Sequence, residues 1–224
     1  VAASRVGDEY ANRLEQIHIP VILVNNQAVG AYRNLYSVAV DDYNGACQAV
    51  QHLLELGHRR IGYIGINNRP GSNELRLRGY LDTLQAAGIT PAGEWIQINA
   101  GHTLEGLRGD MQVGYTLGGH ILGQDLTAVF CYCDSIAAGL LRACRERGLR
   151  VPEDLSVVGY DDSELCEVVS PLLTTIRQPR RQMGRLATEM LLASIAGEQL
   201  ADQKLALDLV VRGSTAAPAQ VPAP

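Results

Sequence analysis

The stretch DLSVVGYDDSEL, residues 154–165, is an apolar run that ends in two carboxylates. Leu155, Val157 and Val158 suit a buried strand, because β-branched and large apolar side chains pack well on a pleated surface. Working outward, six more short runs of this type appear: PVILVNN (20–26), YSVAV (36–40), RRIGYIG (59–65), EWIQI (94–98), LTAVFCY (126–132) and LLTTI (172–176). Between them lie segments of helical period at 42–56, 73–87, 112–122, 134–147 and 180–196. Such alternation predicts βαβ units, and therefore an α/β fold of parallel sheets flanked by helices. Gly57, Gly88, Gly148 and Gly197 each close a helical stretch, where a left-handed residue is expected. Asp41 or Asp42, and later Asp134, stand at helix entries, and capping of the first turn is the expected role of Asp42 and Asp134.

Composition narrows the function classes. The 224 residues are 46% hydrophobic and 19% charged, enough for one large domain or two lobes with real cores. A formal charge of -5 argues against this segment binding nucleic acid by itself, since phosphate contact needs a concentrated basic surface. The five cysteines, at 47, 131, 133, 144 and 166, sit among apolar neighbours and read as reduced thiols of a cytoplasmic protein. Cys131 and Cys133 share a strand face, and burial is their expected role rather than redox or metal chemistry. The histidines show no metal-ligand spacing, and no run approaches the length of a membrane span. The opening residues have no signal-peptide plan, and the Ala/Pro-rich end, 216–224, reads as a tail.

Ligands of open parallel sheets bind outside the carboxyl ends of the strands, so polar residues that follow apolar runs are the candidates. These are Asn25 and Asn26 after PVILV, Asp134 after AVFCYC, Asp161 after SVVGY and Gln178 after LTTIR. Amides and carboxylates there can bond neighbouring hydroxyls of a sugar or nucleoside. Enzyme readings lack an assembled set. There is no G-x-G-x-x-G, no G-x-x-x-x-G-K-[ST] and no G-x-S-x-G. Asp161 and Asp162 are adjacent and point to opposite sides of an extended chain, so they cannot act as a paired acid and base.

The stretches VDDYNGACQAVQHLLELGHRRIGYIG (40–65), RLRGYLDTLQAAGI (76–89), the long run from RERGLRVPEDL to ASIAGE (145–198) and LVVRGST (209–215) resemble the LacI/GalR family of transcriptional regulators. That resemblance covers nearly the whole chain. It implies the effector-binding core alone: a two-lobed, periplasmic-binding-protein-like (type I) fold without the helix-turn-helix head. It further implies that the first lobe lacks its opening strand, helix, strand and helix, so the sequence is expected to be a piece of a longer chain.

Residues 1–37 would be the remainder of the first lobe, 38–98 the first lobe continuing into the crossover, 99–174 the second lobe, and 175–215 the crossover with the closing helix and strands. By the same resemblance, Asn25, Arg76, Cys133, Asp161 and Gln178 would bind a sugar-like effector between the lobes, with Asp162 preparing the next helix. Cys133 stands where the family usually has Asn, a poorer hydrogen-bonding group. No aromatic occurs at 107–110, where many relatives stack one on the ligand.

The expected partners are a small-molecule effector, a second copy of the chain, and operator DNA only through the missing head. Neither a cofactor nor a metal is expected. The resemblance implies a homodimer contact around Leu140 and Ala143 and at Leu165, Val168 and Val169, and the short ELCEVV segment, which is expected not to bury all its apolar residues, points the same way. The alternatives are a periplasmic sugar-binding protein of a transport system, which should carry a signal peptide, and an α/β enzyme.

Overall fold

The computed structural model describes residues 13, 14, 16, 19–25, 34–67, 70–99 and 106–219. All seven expected strands are present: β1 (Val21–Val24), β2 (Leu35–Val40), β3 (Ile61–Ile66), β4 (Ile96–Asn99), β5 (Ala128–Cys131), β6 (Ser156–Asp161) and β7 (Thr174–Arg177). The helices are α1 (Asp42–Glu55), α2 (Pro70–Ala86), α3 (Leu107–Ile121), α4 (Asp134–Glu146), α5 (Leu165–Val168) and α6 (Arg180–Ile195). The closing strands expected within 175–215 are β8 (Gln203–Leu205) and β9 (Asp208–Val210), given no individual bounds by the sequence, and the one-turn α5 was not expected as a helix. Strands of three residues carry too little alternation to register as a period. Gly57, Gly88, Gly148 and Gly197 have φ of 98°, 74°, 71° and 85°, the left-handed stops that the helix ends require.

The chain forms two compact units, one of 1–41 with 179–207 and one of 42–178 with 208–224. In the smaller, β1 and β8 both lie parallel to the central β2. Leu14, Val21, Leu23 and Leu35 form a buried cluster there. α6 turns Met183, Ala187 and Met190 inward, the 4 and 3 spacing of one helical face.

The larger unit is a six-stranded sheet in the order β4-β3-β5-β6-β7-β9, parallel except for β9. The expected division placed 38–98 with the first lobe. The register corrects it: β3 pairs along Ile61↔Ala128 to Ile64↔Cys131 with β5, so α1, β3, α2 and β4 belong to the same unit as 99–174, and the boundary falls at Asp41 and Asp42.

Strand order also locates the ligand crevice. From β3 the chain crosses to β4 on one side, then returns past β3 to β5 on the other. Right-handed crossovers therefore put α2 on one face and α3 and α4 on the other. The reversal leaves a crevice at the carboxyl ends of β3 and β5, the topological switch point where open sheets bind ligands.

The core around the sheet is closely packed. Tyr63, Phe130 and Tyr160 line up across β3, β5 and β6 with ring centroids 5.6 and 6.4 Å apart. α3 and α4 meet through glycines. A Cβ on Gly114 would collide with the Ile136 carbonyl, and one on Gly139 with that of Met111.

Candidate functional site

At the switch point α2 is fastened to β3 at both ends. Near its start, Asn73 Oδ1 accepts from the Tyr63 hydroxyl at 2.9 Å and from the Ile66 N–H at 3.3 Å. Further along, the Tyr80 hydroxyl donates to the Ile61 carbonyl at 2.8 Å. These ties fix Arg76, one turn after Asn73, over the carboxyl end of the sheet.

Arg76 is 2% exposed. Its Nε and one terminal nitrogen each lie 2.8 Å from Asp42 Oδ1. The other terminal nitrogen donates to the Tyr132 carbonyl. The guanidinium lies over the Tyr160 ring at 3.5 Å and the Tyr132 ring at 4.4 Å, distances at which a cation is attracted to the ring face. Burial opposes its charge, but Asp42, Tyr160, Tyr132 and Asp161 together raise its pKa well above the usual value. The guanidinium expected to bind the effector is therefore largely committed to Asp42 and the Tyr132 carbonyl. Asp42, expected as a helix cap, is instead the buried counter-ion, itself 5% exposed.

Asp161 ends β6 with φ 114°, and Asp162 follows at φ 52°. Non-glycine residues rarely adopt such backbones, and strain of this kind gathers where a chain must present a side chain. Asp161 Oδ1 accepts from Gln178 Nε2 at 2.7 Å and lies 3.9 Å from Arg76, with 27% of its side chain exposed. Asp162 turns the other way. Its carboxylate takes Arg177 at 2.6 Å and Arg212 at 2.7 Å. It binds these two arginines instead of preparing the next helix, as had been expected. Burial penalises its charge, and the two arginine hydrogen bonds outweigh that and lower its pKa.

Asp134 is also more than a cap. Cys133 occupies the cap position of α4, while the Asp134 oxygens accept from the Thr175 hydroxyl at 2.6 Å and the Ser163 N–H at 2.7 Å. It thereby ties the start of α4 to β7 and to the turn that follows β6. Its burial raises its pKa despite those bonds.

Cys133 is buried, with Sγ 3.9 Å from Asp110 Oδ2 in the first turn of α3. Burial pushes its thiol pKa up, and the nearby charges of Asp161 and Asp110 add to this. Cys131 is held up by burial in the same way, so neither is poised as a nucleophile.

Of the five expected ligand residues, Arg76, Cys133, Asp161 and Gln178 thus meet at one rim of the larger unit. Asn25 follows β1 of the smaller unit at φ 56°, its N–H donating to the Val38 carbonyl at 2.8 Å. Asn26 lies outside the described residues. The sequence reading missed Asp42 as a partner, Asp110, and the two tyrosines on the guanidinium. A tyrosine directly before each strand-end residue, Tyr132 before Cys133 and Tyr160 before Asp161, was the signal available.

The expected dimer residues divide. Leu140 and Ala143 have no exposed surface, and both pack around Gly118 of α3, so their side chains cannot form an interface. Leu165 is half-buried and Val169 packs on the core, whereas Val168 is 75% exposed.

A model of the periplasmic-binding-protein-like domain matches residues 50–215. The HTH-type transcriptional regulator GalS of Salmonella typhimurium is 37% identical over 181 residues, 80% of this chain and 51% of that protein. The HTH-type transcriptional repressor CytR of Escherichia coli is 36% identical over 205 residues, 91% of this chain and 58% of that protein. The chain therefore spans between half and three fifths of the length of these curated relatives. A LacI family regulator from Enterococcus faecium, solved with bound ribose, superimposes with a TM-score of 0.80 at 30% identity, covering 93% of this chain and 76% of that one. On these grounds the chain belongs to the periplasmic-binding-protein-like domain family, on its LacI/GalR branch.

Proposed function

We propose that the chain is the effector-sensing part of a LacI/GalR-type transcriptional regulator, and that a small neutral sugar or sugar-like metabolite binds at the carboxyl-terminal rim of the larger sheet. One observation carries the reading. A partly exposed carboxylate, Asp161, stands on a strained backbone at the carboxyl end of the sheet, with Gln178 bonded to it and Arg76 held behind it. Asp161 and Gln178 supply an acceptor and an amide within bonding distance of each other, the pairing that vicinal hydroxyls match. Arg76, fixed by Asp42 and the two rings, supplies a positioned cation behind Asp161, 3.9 Å from its carboxylate. Ribose bound to the Enterococcus faecium relative supports the same ligand class.

Ligand binding, in this reading, is coupled to operator DNA through a helix-turn-helix head and a homodimer, so effector and operator affinities change reciprocally. Val168 and Leu172, both exposed, mark the dimer surface on the larger unit. The protein is cytoplasmic and performs no chemistry on its ligand, the relatives being regulators. A transport receptor is the less favoured reading, for the same reason. The test is titration calorimetry against a panel of neutral pentoses, hexoses, disaccharides and nucleosides. A ligand that binds the parent and loses about 30-fold or more in affinity with Asp161→Ala is the expected result, the cost of removing one partner of a charged hydrogen bond.

A further inference from the structure

Opposite the candidate site, residues 214–216 run along the amino-terminal ends of β6 and β7. The Ser214 hydroxyl donates to the Val157 carbonyl at 2.6 Å and accepts from the Thr174 N–H at 2.8 Å, while the Ser214 carbonyl accepts from the Val157 N–H at 2.8 Å. The next two residues are held by histidines. Thr215 Oγ1 lies 3.0 Å from His52 Nε2, and the Ala216 carbonyl lies 2.8 Å from His58 Nε2. Ser156 closes the ring, its hydroxyl 3.1 Å from both His58 Nε2 and the Ala216 carbonyl and accepting from the Ala216 N–H at 3.1 Å.

His58 is 1% exposed, and its bonds fix its tautomer. A carbonyl only accepts, so Nε2 carries the hydrogen. The neutral ring then leaves Nδ1 to accept from the Thr127 hydroxyl at 2.9 Å. A second proton on Nδ1 would turn it into a donor to Thr127 Oγ1 and place a charge on a ring that is 1% exposed. Thr127 would have to turn toward the Arg60 carbonyl, 3.3 Å away.

We propose that His58 and His52 form an acid-sensitive latch: neutral, they hold residues 214–219 against the sheet, and protonation lifts the segment. Of the groups facing His58, His52 disfavours a charge and the Ala216 carbonyl favours it. Those groups are His52 from α1, the hydroxyls of Thr127 and Ser156 from the strand side, and the Ala216 carbonyl from the segment itself. Arg59 and Arg60 adjoin it in sequence, and Arg60 is engaged with Asp125 at 3.2 Å. His52 faces Thr215, with Glu55 as the charged neighbour on its own helix.

Burial lowers the pKa of both rings, more than the Ala216 bond raises it at His58 and more than Glu55 raises it at His52. The sign follows from linkage. A lifted segment lets water reach both rings and returns them toward the ordinary value of about 6.5, so acid favours the lifted form as pH falls through that value.

Hydrogen exchange of the whole chain at pH 8, 6.5 and 5, corrected for intrinsic rates, reads the latch. Protection of the peptide over 212–219 is expected to fall by about threefold or more from pH 8 to pH 5, while that over β3 holds. The double variant His52→Gln/His58→Gln, whose amides can donate and accept but not titrate, should lose this dependence. Protection of 212–219 that is constant with pH in the parent, or unchanged dependence in the double variant, overturns the proposal. Should the variant not fold, the parent's imidazole resonances decide: titration below about 6.5 for both rings supports the latch, and titration at or above it for His58 overturns it.

Discussion

Asp42→Ala leaves the Arg76 guanidinium buried without the partner that two of its nitrogens touch at 2.8 Å. Removing one member of a buried ion pair costs about 3–5 kcal/mol, because the other charge is stranded away from water. Two features of this site reduce the figure. Asp161 stands 3.9 Å from the same guanidinium, and the rings of Tyr160 and Tyr132 lie at 3.5 and 4.4 Å. Each ring contact is worth about 0.5–2 kcal/mol, so the expected loss for Asp42→Ala is about 2–3 kcal/mol. Arg76→Met should cost a similar amount by stranding Asp42.

The double variant Asp42→Leu/Arg76→Met removes both charges while keeping apolar volume, and such replacements are often nearly neutral. Its loss should fall short of the sum of the single losses by about 2 kcal/mol or more. Urea unfolding followed by Trp95 measures this cleanly. That residue is the chain's one tryptophan, and it packs against the core of the larger unit. Strictly additive losses, or an Asp42→Ala cost below about 0.5 kcal/mol, would refute the reasoning that the pair is a mutually dependent buried unit.

Gly114→Ala drives a methyl into the Ile136 carbonyl, so the α3–α4 packing must give way; a loss of about 1–3 kcal/mol is expected in the same urea assay. Asp162 has its pKa depressed by Arg177 and Arg212, so its contribution is complete above the ordinary value of about 3.9 and is lost as pH falls toward its folded value. Asp162→Asn should therefore flatten the fall in urea midpoint between pH 5 and pH 2.5, while an unchanged fall would mean that the two arginines do not hold that charge. Val168→Asp introduces a charge twice across a two-fold contact and should convert a dimer to monomers in sedimentation velocity without changing circular dichroism.

Much of the fold was legible because β2, β3, β5 and β7 are each an apolar run followed by a glycine-terminated helix, a pattern set by local chain geometry. Membership of the two units was not. Ile61–Ile66 reads equally well as a strand of either unit, and only its pairing with Ala128–Cys131 decides. At the site, position along the sequence was enough to single out Asp161 and Gln178, since both follow apolar runs. It could not reveal that Arg76 is turned inward, because that depends on Asp42 lying 34 residues away in the chain yet 2.8 Å away in space. The same gap explains Leu140 and Ala143: an apolar helix face reads alike whether it meets a neighbouring helix or a second molecule, and the glycines of α3 settle it in favour of the helix.

The central claim is that Asp161 and Gln178 form the ligand-contacting edge of the larger sheet. It is tested most directly by calorimetric titration of the parent, Asp161→Ala and Gln178→Ala with whichever neutral sugar or nucleoside binds the parent, with Val168→Asp as the control. The account predicts about a 30-fold or greater loss of affinity for Asp161→Ala, about a tenfold loss for Gln178→Ala, and parental affinity for Val168→Asp. Parental affinity in both rim variants would contradict it.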